Sequence, residues 1–176
     1  MSHALLEKAQ KIRCLVSDVD GVLTDGLLYI DNQNNEIKSF HVHDGMGLKL
    51  LMAAGIEVAI ITTSRNAVID HRMRQLGVRH YFTGQVDKRA AFDSLQKTLD
   101  LPDEAFAYVG DDLPDLPLIQ RVGLGVAVAN AQPRVREFAD WQTSSPGGRG
   151  AVREVCDLIL EAQSKTLEAL ERYLSS

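Results

Sequence analysis

The sequence predicts an α/β protein built on a doubly wound, mostly parallel sheet in a Rossmann-like arrangement. Short apolar runs alternate along the chain with longer segments of helical periodicity. Most of these runs are apolar at successive positions, which is typical of strands covered on both faces in a parallel sheet. The chain has 176 residues, and at roughly 100–200 residues per domain this length indicates one domain.

Five apolar runs, rich in β-branched residues, are the predicted strands. They are Ile12–Ser17, Glu57–Ile61, His80–Phe82, Phe106–Val109 and Leu124–Val128. Four segments between them have helical periodicity. They are Gly47–Ala54, Asn66–Leu76, Lys88–Leu99 and Leu113–Arg121. Parallel strands need crossover connections, usually helices, so this alternation supports the parallel sheet and places ligand chemistry at the carboxyl ends of its strands.

Two additions interrupt the alternation. Leu27–Ile30 and Glu36–Val42 flank a polar turn and predict a β-hairpin near the carboxyl end of the first strand. Near the other end of the chain, the glycine-rich loop 146–150 leads into a long helix that could continue through Leu167 and Leu170. The whole chain, 1–176, is therefore expected to be one domain with two additions and without a cap domain.

Composition excludes several classes of function. Nineteen Lys and Arg against 24 Asp and Glu give a net charge of −5, which disfavours a broad surface for nucleic acid or an anionic membrane. Cys14 and Cys156 lie among apolar neighbours, where buried thiols indicate a reducing compartment. The first residues lack a signal-peptide pattern, and no apolar run approaches the roughly 20 residues of a membrane span. We therefore expect a cytoplasmic protein that binds neither membrane nor nucleic acid.

Two acids follow the first predicted strand directly. In extended backbone, Asp18 and Asp20 lie on one face, so both carboxylates can point into one site. Their repulsion would be relieved by a hard divalent cation such as Mg²⁺, which prefers oxygen ligands and commonly bridges carboxylates to phosphate. For an isolated Asp-x-Asp-Gly, a solvated turn is an equally good interpretation.

Three later motifs strengthen the first. Hydroxyls at Thr62–Ser64 follow the second strand, Lys88 opens a helix, and acids within Gly110–Asp115 follow the fourth strand. Each has an ordinary structural interpretation as a helix cap or a surface lysine. Together, in this order and at one edge of the sheet, they favour a single phosphoryl-transfer site.

These motifs resemble those of the haloacid dehalogenase superfamily of aspartate-nucleophile phosphatases. The segments with the narrower likeness are 20–26, the hairpin, 42–47, 110–115 and 147–154. They resemble the family of 3-deoxy-D-manno-octulosonate 8-phosphate phosphatases, which lack a cap domain and form homotetramers. The resemblance implies Mg²⁺-dependent hydrolysis of a sugar-acid phosphate through an aspartyl phosphate, in lipopolysaccharide sugar biosynthesis.

The resemblance also assigns roles to residues of this chain. Asp18 would be the nucleophile and a metal ligand, and Asp20 the general acid and base, whose backbone carbonyl also binds the metal. Asp111 would be the third metal ligand. Thr62 would donate a hydrogen bond to phosphate, and Lys88 would balance negative charge. Asp112 and Asp115 would orient the metal-bound water or Lys88.

Substrate contacts are expected from Thr62, Thr63, Arg65, Asp44 and Arg149. Arg149 would reach a neighbouring subunit's site and engage the substrate carboxylate with two parallel hydrogen bonds. Relatives usually have Gly-Arg soon after the strand-two threonine, and many have Arg at the position of His43. The first departure leaves open which hydroxyl binds the phosphate. The second leaves a nonulosonate 9-phosphate, or a broader range of sugar phosphates, as alternative substrates.

Other interpretations concern the class of protein and single residues. A phosphoacceptor signalling module also combines carboxylates, Thr and Lys. In such modules the acceptor Asp follows a middle strand and an acidic pair comes early, whereas in this chain Asp-x-Asp comes early and Gly-Asp-Asp comes late. His41 and His43 could bind a transition metal, although two polar residues on one face of a hairpin strand are favoured. Trp141 is expected in a late strand. The exposed apolar run Leu27–Ile30 is expected to join subunits.

Overall fold

A sheet of six parallel strands forms the centre of the fold. The structure, a computed structural model, describes residues 2–174. The strands, in chain order, are β1 (Cys14–Ser17), β2 (Tyr29–Ile30), β3 (Glu36–Ile37), β4 (Glu57–Ile61), β5 (His80–Phe82), β6 (Phe106–Gly110), β7 (Leu124–Ala127) and β8 (Trp141–Gln142). All except β2 and β3 belong to the sheet, whose order is β5-β4-β1-β6-β7-β8. The predicted α/β class and parallel sheet are therefore confirmed, and Trp141 lies in a late strand as expected.

The helices cover this sheet in two groups. In chain order they are α1 (His3–Gln10), α2 (Val42–Ala53), α3 (Ala67–Leu76), α4 (Lys88–Leu99), α5 (Leu116–Ile119), α6 (Pro133–Phe138), α7 (Ala151–Ala162) and α8 (Thr166–Leu174). Helix α2 packs on α3, α7 and α8, whereas α5 packs on α4 and α6. Because β1, β6 and β7 are buried along their whole length, their sequences are continuous apolar runs.

The strand order positions the site. Among the sheet strands alone, β1 is first and β6 is fourth, so the order runs third, second, first, fourth, fifth, sixth. The direction of winding reverses between β1 and β6, which pair through Ser17 and Val109. In open α/β sheets, the crevice for ligands lies outside the carboxyl ends of the strands at this reversal. The residues that follow β1 and β6 therefore meet there.

Helix α2 corrects one prediction. It begins at Val42 rather than Gly47, and the second hairpin strand ends at Ile37 rather than Val42. His41 is therefore the N-cap position of α2 and His43 lies in its first turn, so their placement on a hairpin strand is wrong. The glycines in this segment lower helix propensity. Gly47 nevertheless allows α2 and α7 to pack closely, because a Cβ at this position would lie only 3.1 Å from Sγ of Cys156 on α7.

Other differences lie mostly toward the two ends of the chain, although α5 (Leu116–Ile119) is also shorter than the predicted helix Leu113–Arg121. Helices α1 and α6 were not predicted, and the long last helix is interrupted between Ala162 and Thr166, where Ser164 has a φ of 56°. Both cysteine thiols are buried, as expected. Of the single domain expected over 1–176, residues 1, 175 and 176 lie outside the described part. Within that part, no helix combines the length and apolar character that crossing a bilayer requires.

Candidate active site

Two carboxylates from neighbouring strands converge at the reversal point of the sheet. Asp18 follows β1 and Asp111 follows β6, and the Asp18 N–H donates to the Val109 carbonyl at 3.1 Å. Asp18, Asp111 and Asp115 each offer a carboxylate oxygen within 4.8 Å of the others. The predicted meeting of Asp18 and Asp111 is thus present in the geometry.

The loop after β1 is held by its own backbone. The N–H groups of Val22, Leu23 and Thr24 all donate to the carbonyl of Val19, at 2.9–3.2 Å. Gly21 has a φ of +82°, and a Cβ there would collide with the carboxylate of Asp111. A glycine is therefore required at position 21 both for its backbone conformation and for the close approach of the two acidic loops.

Lys88 occupies the centre of a buried network of charges. It opens α4 behind the N-cap Asp87. Its Nζ lies 2.8 Å from Oδ2 of Asp18 and 2.6 Å from Oδ1 of Asp115, and donates to the Tyr108 hydroxyl at 3.2 Å. An ammonium has three donor hydrogens, so these three acceptors satisfy it completely. The pairing explains how a lysine can be buried here.

Both carboxylate oxygens of Asp115 accept hydrogen bonds from within the protein. Besides Lys88, its Oδ1 accepts a hydrogen bond from the Tyr108 hydroxyl at 2.7 Å, and its Oδ2 accepts the N–H groups of Asp111 and Asp112. Asp115 therefore orients Lys88 and the Asp111 loop, although its distance alone would admit it as a metal ligand. Asp112 caps the following helical turn through Leu113 N–H at 2.8 Å.

Burial and mutual repulsion change the ionisation of the cluster. Burial, with the charge of Asp115, raises the pKa of Asp18 to about 6, and Lys88 opposes this rise. Burial, with the charges of Asp115 and Asp18, raises the pKa of Asp111 to about 7. Burial alone would lower the pKa of Lys88, but Asp18 and Asp115 outweigh it, so that its pKa lies above the ordinary value. The acids outnumber the cation, so the cluster favours a further positive charge.

The donor set fits a hard cation. Oxygens of Asp18 and Asp111 are close together and are carboxylates, the ligands that Mg²⁺ prefers. The Asp20 carboxylate is not part of this cluster, and its Oδ1 lies 2.5 Å from Nζ of Lys38. Of the three predicted metal ligands, the structure brings together two side chains, and Asp20 can contribute only through the backbone carbonyl that the resemblance implies.

A cavity of about 230 Å³ lies in front of these acids. It is lined by Asp18, Asp20, Gly26, Thr63, Lys88, Asp111, Asp112 and Pro114. Its lining is predominantly polar, and it combines an ammonium, a hydroxyl and several carboxylates. This combination suits a phosphate group accompanied by a cation.

The predicted phosphate-binding loop divides into buried and exposed parts. Thr62 is fully buried, and its hydroxyl accepts the N–H of Ser64 at 3.2 Å. Thr63 is exposed and lines the cavity. Arg65 is also exposed and packs over Gly84 rather than lining the cavity. Helix α3 is capped by Asn66, whose side chain accepts Val68 N–H at 2.9 Å, so neither threonine is the cap.

Asp44 has a different environment from the one expected. Its side chain is buried, and its carboxylate accepts the N–H groups of Gly150 at 3.2 Å and Arg153 at 2.8 Å. It therefore fixes the first turn of α7 and the end of the glycine-rich loop, where a carboxylate also complements the helix dipole. The prediction that Asp44 contacts substrate receives no support from these contacts.

The glycine-rich loop packs against the loop after β1 of its own chain. The Gly148 N–H donates to the Val22 carbonyl at 2.9 Å, and Gly147 lies so close to Gly21 that a Cβ would collide with the Gly21 carbonyl. Arg149 is exposed and near enough to Asp25, at the base of the hairpin, to contribute to lowering the pKa of that carboxyl group. The predicted reach of Arg149 into a neighbouring subunit stays a prediction.

Sequence reasoning missed three residues of this region. Tyr108 bonds Asp115 and Lys88, Lys38 holds Asp20, and the Thr24 hydroxyl accepts the N–H groups of Gly21 and Gly26 at 3.3 Å. A signal existed for Tyr108, because a hydroxyl in a wholly buried strand needs a hydrogen-bond partner. A lysine in a hairpin carries no such signal.

The chain is similar to known proteins over most of its length. The family model described as haloacid dehalogenase-like hydrolase matches residues 80–155. The 3-deoxy-D-manno-octulosonate 8-phosphate phosphatase of Escherichia coli is 48% identical over 169 residues, which cover 96% of this chain and 90% of that protein.

Solved structures extend the comparison to the fold. A haloacid dehalogenase superfamily hydrolase (subfamily III A) from Legionella pneumophila matches with a TM-score of 0.96 and 71% identity, over 98% of this chain and 95% of that one. The Moraxella catarrhalis 3-deoxy-D-manno-octulosonate 8-phosphate phosphatase, solved with magnesium, phosphate and KDO, has a TM-score of 0.94 and 40% identity, over 98% and 99% of the two chains. The chain therefore belongs to the 3-deoxy-D-manno-octulosonate 8-phosphate phosphatase family of haloacid dehalogenase-like hydrolases.

Proposed function

We propose that this protein is a Mg²⁺-dependent phosphomonoesterase that hydrolyses 3-deoxy-D-manno-octulosonate 8-phosphate to 3-deoxy-D-manno-octulosonate and phosphate. The observation that carries the proposal is the convergence of Asp18 and Asp111 within 4.8 Å, with Lys88 2.8 Å from Asp18. This arrangement lies in a chain 48% identical to an enzyme of that name.

The first chemical step belongs to Asp18. Its carboxylate attacks phosphorus, a new Asp18–phosphorus bond forms, and the bond from phosphorus to the sugar oxygen breaks. The Lys88 ammonium, 2.8 Å from the nucleophile, helps to neutralise the charge that the incoming phosphate brings. Asp115 and Tyr108 hold that ammonium in place.

Asp20 completes the reaction by moving protons. It donates a proton to the leaving sugar oxygen, and it then removes a proton from the water that attacks the aspartyl phosphate. Phosphate leaves, the Asp18 carboxylate is regenerated, and Asp20 is protonated again. Its place in the lining of the cavity, beside Asp18, supports this role.

A divalent cation would be held by Asp18, Asp111 and the backbone carbonyl of Asp20. Bound there, Mg²⁺ supplies neutralisation of the phosphoryl oxygens and a fixed orientation of the phosphate. The excess of carboxylates at the site and the magnesium present in the Moraxella structure support this assignment.

The remaining substrate contacts are proposed from position. Thr63 lines the cavity and can donate its hydroxyl to a phosphoryl oxygen. The hydroxyl of the buried Thr62 accepts Ser64 N–H within the same loop and keeps its own hydrogen for a further acceptor. Arg65 and Arg149 are exposed cations for the sugar carboxylate. Asp44 contributes by anchoring the loop that carries Arg149.

We also propose that the active form is a homotetramer acting in the cytoplasm, in lipopolysaccharide sugar synthesis. The hairpin exposes Leu27, Leu28, Tyr29 and Ile30, with 73% of Leu28 accessible. Exposed apolar surface of this kind often marks an association surface. In the absence of a cap domain, a neighbouring hairpin would cover the cavity.

The decisive experiment measures phosphate release from 3-deoxy-D-manno-octulosonate 8-phosphate with and without Mg²⁺. A nonulosonate 9-phosphate and simple hexose phosphates are compared as competing substrates, with Asp18→Asn as the inactive control. The proposal expects a distinctly higher kcat/KM for the octulosonate ester, since specificity is a ratio of kcat/KM values. Equal values on all the sugars would overturn the substrate assignment and leave a broad sugar phosphatase.

A further inference from the structure

Lys38 is the most deeply buried charge of the hairpin region. It follows β3, and its side chain is only 3% exposed. Its Nζ lies 2.5 Å from Oδ1 of Asp20 and 2.6 Å from Oε1 of Glu36. Removal of an ammonium from water is costly unless it is paired, so these two carboxylates determine where the Lys38 side chain lies.

The pairing extends from the hairpin to two catalytic loops. Glu36 also forms a hydrogen bond with the side chain of Asn66, the N-cap of α3. Contacts therefore run from Asn66 through Glu36 and Lys38 to Asp20. The hairpin is fixed by this route to the loop after β4 and to the loop after β1.

Asp20 needs such an anchor because it stands beside a cation site. Its side chain is 37% exposed at the cavity, and a carboxylate close to a divalent cation is strongly attracted to it. As a direct metal ligand, Asp20 could no longer exchange a proton with the leaving group. Among the described residues, Lys38 is the side chain that pairs with the Asp20 carboxylate, and it uses Oδ1.

We propose that Lys38 is a positioning residue for the reaction: it holds one oxygen of Asp20 away from the Asp18–Asp111 pair and leaves the other oxygen for the leaving group. The inference rests on the proposed function, because it concerns the general acid of that reaction. Lys38 is not among the residues that line the cavity, and its ion pairs are with Asp20 and Glu36 rather than with Asp18 or Asp111. The hairpin thus contributes to chemistry within its own chain, in addition to any role in association.

The test compares leaving groups in Lys38→Met. Expulsion of a sugar alkoxide needs a proton from Asp20, whereas p-nitrophenolate leaves readily without one. We expect kcat/KM for the sugar phosphate to fall about tenfold or more, which is part of the roughly 10²–10⁴-fold that general acid catalysis supplies, and kcat/KM for p-nitrophenyl phosphate to fall less than about threefold. Both are measured as kcat/KM at saturating Mg²⁺, because kcat/KM reports the steps up to formation of the aspartyl phosphate and excludes its later hydrolysis, in which Asp20 serves both substrates.

Three further variants make the result specific. Lys38→Arg keeps a cation and should recover most of the sugar-phosphate rate. Lys49→Met removes an exposed lysine from α2 and should change neither rate. In an Asp20→Asn background, Lys38→Met should have little further effect, because residues that act through one group are not additive.

Two outcomes would overturn the inference. An equal loss on both leaving groups would make Lys38 a structural residue, and an unchanged sugar-phosphate rate would leave it without a role. Failure of the proposed function is recognised separately, in the wild type, as the absence of activity on the octulosonate ester. If the wild type hydrolyses another alkyl phosphate, the same comparison of leaving groups on that ester still tests Lys38.

Discussion

The catalytic centre and the hairpin differ in how deeply they are buried and in how their residues are bonded. Near the ends of β1 and β6, Asp18 and Asp115 are buried and share the ammonium of Lys88 within one chain. The hairpin of β2 and β3 is a two-stranded sheet of two residues per strand, and its apolar side chains face solvent. An isolated hairpin of this size has little stability of its own.

This difference separates the reaction at the centre from association at the exposed face of the hairpin. Asp18, the proposed nucleophile, has its contacts with Lys88 and Val109 within the single chain, so this part of the site needs no second subunit. Lys38 and Glu36 connect the hairpin to Asp20, and the apolar side chains of its outer face are exposed. We therefore expect changes in the centre to affect reaction and stability, and changes on the hairpin face to affect association.

The largest effect is expected for Asp18→Asn. An amide cannot form the aspartyl phosphate, so kcat should fall by about 10⁴-fold or more, as when a nucleophile is removed from other enzymes. Phosphate release checks the rate, and circular dichroism checks that the fold is retained. A variant that kept a tenth of the wild-type rate would exclude Asp18 as the nucleophile.

Lys88→Met tests how far the centre depends on its buried cation. It leaves Asp18 and Asp115 close together without their shared partner, and breaking a buried pair in this way costs about 3–5 kcal/mol. Urea denaturation at pH 8 without metal measures the loss. The matched control is Lys8→Met, which breaks the more exposed pair with Asp140 and should cost about 0–1 kcal/mol. Similar losses in both variants would contradict the network.

The pH dependence of the metal-free protein follows from the raised pKa values. Asp18 and Asp111 titrate near 6 and 7 in the folded protein, above the 3.8 of an ordinary aspartate. The folded state therefore binds protons more tightly than the unfolded state, and their contribution to stability is lost as the pH rises from about 4 to about 7. At pH 8, Mg²⁺ should restore stability by replacing the protons.

Thermal midpoints at pH 5 and pH 8, with chelator or with Mg²⁺, measure this effect. Asp111→Asn removes the group with the higher pKa, so its midpoint should depend less on pH and respond less to Mg²⁺ than that of the wild type. If the two proteins showed the same dependence on pH and on Mg²⁺, the carboxylate at position 111 would have no part in holding a cation.

The sequence was informative where local pattern and site coincide. Buried parallel strands are continuous apolar runs, so the fold class could be predicted, and the bounds of β4 and β5 agree with the structure. Asp18 and Asp111 directly follow strands, and Lys88 opens a helix after a capping aspartate. The carboxyl ends of the strands in a parallel sheet meet at one edge. The positions of Asp18, Lys88 and Asp111 relative to the strands were therefore sufficient to predict that these residues meet.

Residues whose position depends on packing could not be predicted in this way. The helix predicted from the sequence starts at Gly47 and leaves Asp44 outside it, yet α2 begins at Val42 and packs against α7. The Asp44 carboxylate then reaches residues more than 100 positions away in sequence. Lys38 has the pattern of a solvent-exposed strand residue, and only the folded chain brings Asp20 and Glu36 to it.

Tyr108→Phe sharpens the account of the centre by removing one hydroxyl. Oδ1 of Asp115 keeps Lys88 but loses the bond from Tyr108, and the ammonium loses one of three acceptors. The loss of such a bond costs about 1–2 kcal/mol, since the ring still fills its space. Urea denaturation measures this loss. Phe106→Tyr is not a suitable control, because it would bury a new hydroxyl. No change in stability would show that Lys88 and Asp115 need no third partner.

The smallest effect on the single chain is expected for Leu28→Asp on the hairpin face. The side chain is 73% exposed, and substitutions at such positions usually change stability by less than about 0.5 kcal/mol. If hairpins meet in a tetramer, however, the new charges would be buried together, and sedimentation should show smaller species at the same concentration. Lys11→Asp, which changes an exposed residue beside α1, is the control. A hairpin variant that still assembled as the wild type would place the subunit contacts elsewhere, because apolar association does not tolerate an unpaired buried carboxylate.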